Sequence, residues 1–261
     1  MFGLVASIGR GTARWLARLG ALARFAFEAL GSLATLPAGG RRMTARIFLN
    51  QLRFTALDAV GLIVLLSGIL SFLVISSSIR QLGSVGATDL IGRLMVVIIV
   101  RELGPILTAL ALVGRSGTAI TAELATNTVL GEVRALEAIG IDPQHYLVLP
   151  RLFGCVISAV ILTVVFDGVA FLSGFLAVST QGMSGGRYLG MVLSSLTTED
   201  VALTVAKGLV FGVIVGVLPC FQGLSVRQGP TEIPQAVIRG TVGSIVLIFI
   251  CAALFVLVGQ A

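Results

Sequence analysis

Two charged residues stand side by side in an otherwise apolar stretch of the sequence. Arg101 and Glu102 follow MVVIIV and precede LGPILTALALVG. A charge inside a membrane is costly unless it is paired or faces water. A guanidinium offers forked donors to a phosphate, and a carboxylate can orient it or complete a polar network. The pair therefore predicts either a polar cavity that binds a ligand or a structural ion pair between helices.

Two further charged residues fall within apolar stretches. Asp167 can pair with Arg101 or line the same cavity. Lys207 lies near the start of a later apolar stretch, where its side chain can extend to the interface or contact an anionic group of a ligand. Pro105 removes a helix hydrogen bond, so a kink is expected just after Glu102.

The sequence contains no cluster of catalytic residues. Its single lysine, Lys207, is not followed by Ser or Thr, so the chain has no phosphate-binding loop of the GxxxxGK[ST] type. His145, the one histidine, has no partner at metal-ligand spacing. The cysteines lie far apart in apolar stretches and are expected to be buried small residues: Cys155, Cys220 and Cys251. Catalysis by this chain alone is therefore unsupported, and the chain is expected to bind no metal or cofactor.

The composition predicts the elements that hold these residues. Of 261 residues, 56% are hydrophobic and 11% are charged, whereas soluble domains carry about 25% charge. This excludes a soluble enzyme, a disordered chain and a disulfide scaffold. We predict an all-α integral membrane protein with five spans, at about 59–79, 91–114, 152–178, 201–222 and 240–259. Arg101 and Glu102 would then lie about 15 Å deep, near the bilayer centre.

The N-terminal part is basic and amphipathic. Arg10, Arg14 and Arg18 recur every four residues beside apolar side chains, which predicts an interfacial helix over 2–36. Residues 1–58 are expected to form helices at the cytoplasmic face, and residues 59–261 the transmembrane domain. An N-terminus inside places 13 of the 18 basic residues on the cytoplasmic side, so the C-terminus is expected outside. Because the basic residues sit beside apolar ones, they predict a membrane surface rather than nucleic-acid binding.

Two segments have helical spacing that suggests contacts. Residues 129–139 (VLGEVRALEAI) predict a short cytoplasmic helix, with Gly140 as its stop and Asp142-Pro143 as a turn. That helix can dock a partner or pack on its own bundle. Glycines every four residues form a smooth stripe for helix packing, within one chain or in a dimer: Gly208, Gly212 and Gly216.

Three segments together resemble the MlaE/YrbE family of permeases. These segments are RELGPILTALALVGRSGTAITAEL (101–124), ALEAIGIDPQHYLVLPR (135–151) and KGLVFGVIVGVLPCFQGL (207–224). Members of that family are the membrane subunits of ABC transporters that work with MCE proteins on lipids. The resemblance extends over about residues 59–259 and is carried most specifically by RELGP and the ALExxGxDPxxYLVxPR pattern.

The resemblance implies a permease of five spans that pairs, as a homodimer, around a central lipid cavity in the bacterial inner membrane. The implied partners are an ATPase of the MlaF type, which binds ATP and Mg, a STAS protein of the MlaB type and an MCE ring of the MlaD type on the periplasmic side. The implied role is phospholipid transport that maintains outer-membrane lipid asymmetry.

The resemblance also distributes residues between two sites. The cavity candidates that it implies are Ser67, Gly68, Arg101, Glu102, Leu103 and Pro105. Asp167 and Lys207 are added to these candidates because they lie within spans. The coupling helix that would sit on the ATPase contributes Glu132, Val133, Leu136, Glu137, Gly140, Asp142 and Pro143. Two rival functions are a gradient-driven transporter that uses Glu102 and Asp167 as proton-relay acids, and a structural anchor for an MCE ring.

Overall fold

The computed structural model describes residues 53–84, 90–182, 184–227 and 229–259, together with the helical positions 20, 24, 25, 27 and 31. Within these residues all regular structure is helical, and five helices are long and apolar enough to cross a membrane. The predicted all-α membrane fold is therefore confirmed. The described helices are α1 (Thr55–Gly83), α2 (Ile91–Val129), α3 (Glu132–Ala138), α4 (Gln144–Ser179), α5 (Gly185–Ser195), α6 (Thr198–Leu224) and α7 (Pro230–Val258).

Helix α2 is much longer than the predicted second span. It has 39 residues and is therefore about 58 Å long, against about 30 Å for the hydrocarbon core of a bilayer. The predicted end at residue 114 is wrong because hydropathy falls there while the helix continues. Its last turns pack on α6 and α7: Thr121 Oγ1 donates to the carbonyl of Pro219 in α6 at 3.3 Å, and a Cβ on Gly240 of α7 would lie 3.1 Å from the same oxygen.

Helix α4 is the centre of the bundle, with α1 on one side and α6 on the other. Ser67 of α1 donates a buried hydrogen bond of 2.6 Å to the carbonyl oxygen of Phe166 in α4. Helix α7 packs on α6 and on the last part of α2, and it is the least buried of the five long helices. Large apolar side chains along α1 and α7 are exposed, as expected for surfaces that face lipid.

The two ends of the bundle differ. The end that carries α3, between the end of α2 and the start of α4, is named the coupling end after the predicted role of α3, and the opposite end, which carries α5, is named the distal end. The ring of Phe25 meets that of Phe221, near the coupling end of α6, at 5.6 Å and edge to face. The predicted interfacial helix over 2–36 otherwise lies outside the described residues.

Helix α5 was not predicted, because the segment between the third and fourth spans was interpreted as an outer loop. Tyr188 of α5 is buried against Gly174 of α4, and Met191 lies against Gly92 of α2. The sequence does contain a start signal, since the Ser184 side chain accepts the backbone N–H of Arg187. Helix α5 therefore closes the distal end over α2 and α4.

Candidate functional site

Two ion pairs join α2 to α6. The Nε atom of Arg101 lies 3.1 Å from Oδ1 of Asp200, and Nζ of Lys207 lies 2.6 Å from Oε1 of Glu102. Adjacent residues on a helix point in different directions, so Arg101 and Glu102 take different partners. Asp200 and Lys207 are both buried. The expectation that the lysine extends to the interface is wrong, because its ammonium is bound inside the bundle.

The same lysine also satisfies the backbone of α2. Pro105 has no N–H to donate to the carbonyl of Arg101, four residues earlier, and the amide of Gly104 donates to Ile99 rather than to Val100. Lys207 Nζ donates to the Arg101 carbonyl at 2.7 Å, and Thr204 Oγ1 donates to the Val100 carbonyl at 3.3 Å. Side chains of α6 thus supply donors to both of these carbonyls.

The turns of α2 before the proline are widened. Residues Met95–Leu103 form a π-helical stretch, and the amide of Gly104 donates to the carbonyl of Ile99, five residues back. Such widened turns occur often at functional sites. The proline expected to kink α2 therefore follows a π-helical stretch, and the helix continues through it as Gly104–Leu112.

The charged cluster lies toward the distal end rather than midway along α2. Arg101 is ten residues into the 39-residue helix, about 15 Å from its start. Asp200 is the third residue of α6, and a Cβ on Gly259, just after α7, would be 4.0 Å from the Arg101 guanidinium. Because the helix continues beyond residue 114, Arg101 is not at its midpoint, and its depth in the bilayer stays a prediction.

A cleft of about 190 Å³ opens beside this cluster, between α2, α6 and α7. The Lys207 side chain is only 3% exposed, whereas those of Arg101 and Glu102 are 28% and 33% exposed. The cleft therefore presents one cation and one anion beside apolar walls. It is lined by Val97, Arg101, Glu102, Leu203, Lys207, Phe255, Val256 and Gly259.

Asp167 lies elsewhere. Its Oδ1 atom is buried without a hydrogen-bond partner among the described residues, and a Cβ on Gly104 would lie 2.7 Å from it. The predicted pairing of Asp167 with Arg101 is wrong, because Arg101 pairs with Asp200 on α6. Asp167 on α4 faces Gly104 of α2 and is not among the residues that line this cleft.

Four other cavity candidates also lie outside this cleft. Ser67 bonds to α4, and Gly68 lines a separate apolar groove of about 390 Å³ on the surface of α1 and α4. Leu103 packs against the apolar core, and Pro105 is buried. Of the eight candidates, the structure brings three together: Arg101, Glu102 and Lys207.

The glycine stripe of α6 packs on α4 of the same chain. A Cβ on Gly212 would lie 2.6 Å from the Cα of Val156, and one on Gly216 would lie 2.9 Å from the Cα of Leu152. Gly208 continues the contact against Val160 at 3.5 Å. Of the two predicted alternatives, packing within one chain is therefore the one observed for this stripe.

The short helix predicted over 129–139 is present as α3, with a later start. Val129 still belongs to α2, and a turn at Gly131, with φ +81°, separates the two helices. Gly140, with φ +78°, ends α3 as predicted. Asp142 then accepts the backbone N–H of Gln144 at 2.9 Å, which starts the next helix.

Helix α3 is anchored on one face and exposed on the other. Val133 and Leu136 pack against the core of the bundle, while Glu132 and Glu137 are exposed. The flanking side chains of Leu130 and Ile139 are 68% and 70% exposed. Packing on the chain's own bundle is therefore observed for one face of α3, and docking of a partner on its exposed face stays a prediction.

A groove of about 510 Å³ separates α3 from the adjoining ends of α2 and α4. Arg151 forms its base, with Nη2 at 2.7 Å from Oε1 of Glu123 and Nη1 at 2.6 Å from the carbonyl of Leu147. Arg151 is buried; its bond to Glu123 joins the start of α4 to the last turns of α2, and its bond to Leu147 lies within α4.

A family model described as Permease MlaE matches residues 48–258, which is most of the chain. The chain belongs to the MlaE permease family. The resemblance carried by the RELGP and ALExxGxDPxxYLVxPR segments is thereby confirmed.

This MlaE permease is similar to several named relatives. It is 27% identical over 251 residues to a probable ABC transporter permease protein of Rickettsia conorii, covering 96% of this chain and 95% of the relative. It is 30% identical over 210 residues to one of Synechocystis, with 80% of each covered. The protein TRIGALACTOSYLDIACYLGLYCEROL 1, chloroplastic, of Arabidopsis thaliana is 29% identical over 203 residues, which cover 77% of this chain and 58% of that protein.

The family and these names make the chain a transporter permease subunit, and an ABC transporter permease implies a partner ATPase. Sequence reasoning missed three residues of this MlaE permease that complete its contacts: Asp200, Thr204 and Glu123. A signal for Asp200 was present. Thr197 and Asp200 form a capping box ahead of an apolar run, and Asp200 lies two helical turns before Lys207.

Proposed function

We propose that this chain moves lipids, with the headgroup held in the cleft beside Arg101 and Glu102. The observation that supports this proposal is the composition of the cleft. The partly exposed, opposite charges of Arg101 and Glu102 adjoin apolar side chains, which are Val97, Leu203, Phe255 and Val256. An amphiphile needs both surfaces. The name of the Arabidopsis relative includes a galactolipid, which also supports a lipid substrate.

In this proposal, energy enters through α3. The exposed Leu130 and Ile139 would dock on the ATPase, while Val133 and Leu136 tie the helix to the bundle. ATP binding would draw two ATPase subunits together, and α3 would transmit the movement to α2 and α4. Two packings of a bundle can differ by only a few kcal/mol, which nucleotide binding can supply.

The proposed assembly has two copies of this chain around the lipid path. A MlaF-type ATPase would bind ATP and Mg on the cytoplasmic side, with a MlaB-type STAS protein beside it. A MlaD-type MCE ring would receive or deliver phospholipid on the periplasmic side of the bacterial inner membrane, a route that serves outer-membrane lipid asymmetry. The coupling end and residues 1–58 would face the cytoplasm, and the distal end the periplasm.

Reconstitution with the ATPase tests the proposal. Proteoliposomes that contain the complex should transfer fluorescent phospholipid to acceptor vesicles only with ATP. Glu137→Lys reverses an exposed charge on α3 and should reduce ATP-driven transfer at least severalfold by disrupting docking. Glu199→Gln, an exposed change at the distal start of α6, serves as the control.

Transfer that proceeds on an ion gradient without ATP would reject the proposal in favour of a secondary transporter. That rival needs Glu102 and Asp167 to relay protons. Glu102 is engaged by Lys207, and Asp167 faces Gly104, so the two acids belong to different contacts. A structural anchor would instead leave ATP-driven transfer intact when Glu102 is changed.

A further inference from the structure

We infer that the cleft selects a zwitterionic headgroup, with its phosphate at Arg101 and its ammonium group at Glu102. This inference rests on the proposal that a lipid headgroup enters the cleft, and it specifies which class of lipid is bound.

The charges that a ligand meets are one of each sign. Arg101 and Glu102 present partly exposed side chains to the cleft, whereas Lys207 and Asp200 are almost completely buried behind them. The two buried charges neutralise the two exposed ones. The cluster as a whole therefore has no net charge, and its accessible part is a dipole formed by neighbouring residues.

An anionic headgroup lacks an uncompensated cation at this site. A phosphate that displaced Asp200 from Arg101 would leave a buried carboxylate without its ion pair, which is strongly unfavourable. Asp200 cannot readily turn away, because its Oδ2 atom accepts two hydrogen bonds from Thr197. The backbone N–H of Thr197 donates at 2.9 Å and the Thr197 hydroxyl donates at 2.8 Å. The phosphate must therefore approach the exposed part of Arg101 with both carboxylates nearby.

In a zwitterionic headgroup, the ammonium group offsets the repulsion between the phosphate and the carboxylates of Glu102 and Asp200. Its ammonium group would lie against Glu102, whose carboxylate already binds Lys207 through Oε1 and is one-third exposed. The phosphate at Arg101 and the ammonium at Glu102 would each meet the opposite sign. A headgroup without charges would leave both partly desolvated ions without a ligand, so it should bind less tightly.

Other charges of the distal end do not change this balance. Arg80, Arg93, Arg187 and Glu199 are exposed and do not line the cleft. At physiological salt their fields are screened over about 8 Å.

Competition binding to the purified complex tests the inference without ATP. Phosphatidylethanolamine, phosphatidylglycerol and diacylglycerol with identical acyl chains would be offered in equal amounts, and bound lipid counted by native mass spectrometry. We expect the ethanolamine lipid to exceed each of the others by roughly tenfold, the ratio that one additional charged hydrogen bond provides.

Glu102→Gln should shift the preference toward phosphatidylglycerol by roughly tenfold, because the cleft then carries an excess positive charge. Glu199→Gln removes the same charge at an exposed site outside the cleft and should leave the preference unchanged. If Glu102→Gln does not fold, the wild-type preference alone decides.

Equal binding of the ethanolamine and glycerol lipids by the wild-type complex, or an unchanged preference in folded Glu102→Gln, would overturn the inference. Loss of ATP-driven transfer for every lipid would instead contradict the proposed function. The two failures are distinguishable because binding is measured without nucleotide.

Discussion

Lys207 supplies to α2 the hydrogen bond that Pro105 removes. Its ammonium lies 2.7 Å from the carbonyl oxygen of Arg101, the group that the N–H of a residue at position 105 would bind, and 2.6 Å from Glu102. One side chain thus both donates a hydrogen bond to the backbone of α2 and forms the ion pair with Glu102. This makes α2 dependent on α6 at the point where the cleft opens.

Replacement of Lys207 should therefore be costly, and less so when the proline is removed as well. Lys207→Met should lower the free energy of unfolding by about 3 kcal/mol, the low end for breaking a buried ion pair, because Glu102 is partly exposed. In a Pro105→Ala background the restored N–H can bind the carbonyl, so the loss should be about 1 kcal/mol smaller. Denaturant unfolding in bicelles measures both.

The control for this double-mutant cycle is Arg93→Met, which removes an exposed cation from the same helix and should change stability by less than about 0.5 kcal/mol. Equal losses in the two Lys207→Met backgrounds would show that the carbonyl contact contributes nothing.

The spans were predictable because each contains enough consecutive apolar residues to cross a bilayer. The residues at which the helices end were harder to predict. Helix α2 continues to Val129 through a polar segment that packs on α6 and α7, and hydropathy alone does not detect a helix stabilised by such contacts. The end of α3 and the turn that follows it were closer to prediction, since Gly140 and Asp142 act locally.

The partners of the charged residues were not predictable in the same way. Arg101 and Asp200 are 99 positions apart, and their contact depends on how α2 and α6 are rotated about their axes. Sequence spacing identified which residues needed a partner, because a charge within a span is costly alone. It could not distinguish Asp167 from Asp200 as the acid that meets Arg101.

The glycine stripe gives a prediction about packing. Gly212→Ala would place a Cβ 2.6 Å from the Cα of Val156, so the helices must separate. We expect a loss of about 1–3 kcal/mol, as for other overpacked sites, measured by denaturant unfolding. Gly168→Ala in α4 is the control, because a Cβ there meets no atom within 4 Å. A helical alanine at that position should gain up to about 1 kcal/mol.

Tyr188 should make stability depend on alkaline pH. Burial raises its pKa to about 12, above the ordinary value of about 10. The folded state therefore holds the phenolic proton more tightly than the unfolded state. This contribution is complete below about pH 10 and is lost as the pH rises toward 12.

Tyr188→Phe should remove that part of the pH dependence. The hydroxyl has no hydrogen-bond partner among the described residues, so its loss should leave stability unchanged or raise it by up to about 1 kcal/mol near neutral pH. Thermal unfolding at about pH 8 and about pH 11 separates the two effects. A variant that loses as much stability as the wild type between these pH values would contradict the assignment to Tyr188.

Arg151 should affect coupling without affecting headgroup selection. It holds Glu123 of α2 and the carbonyl of Leu147 with two guanidinium nitrogens, beneath the groove that adjoins α3. A lysine has a single ammonium and cannot reproduce this geometry. Arg151→Lys should loosen the joint between α2 and α4, and ATP-driven lipid transfer per ATP hydrolysed should fall severalfold.

The same variant should keep the wild-type lipid preference in competition binding, because Arg151 lies at the coupling end and the Arg101–Glu102 cleft at the distal end. Glu102→Gln should show the converse, with altered preference and an unchanged ratio of transfer to hydrolysis for the lipid it binds. If Arg151→Lys changed the preference as much as Glu102→Gln, the two ends would not be separable. The Arg151–Glu123 contact and the Arg101–Glu102 cleft would then both affect lipid selection, and coupling to ATP hydrolysis would not be separate from it.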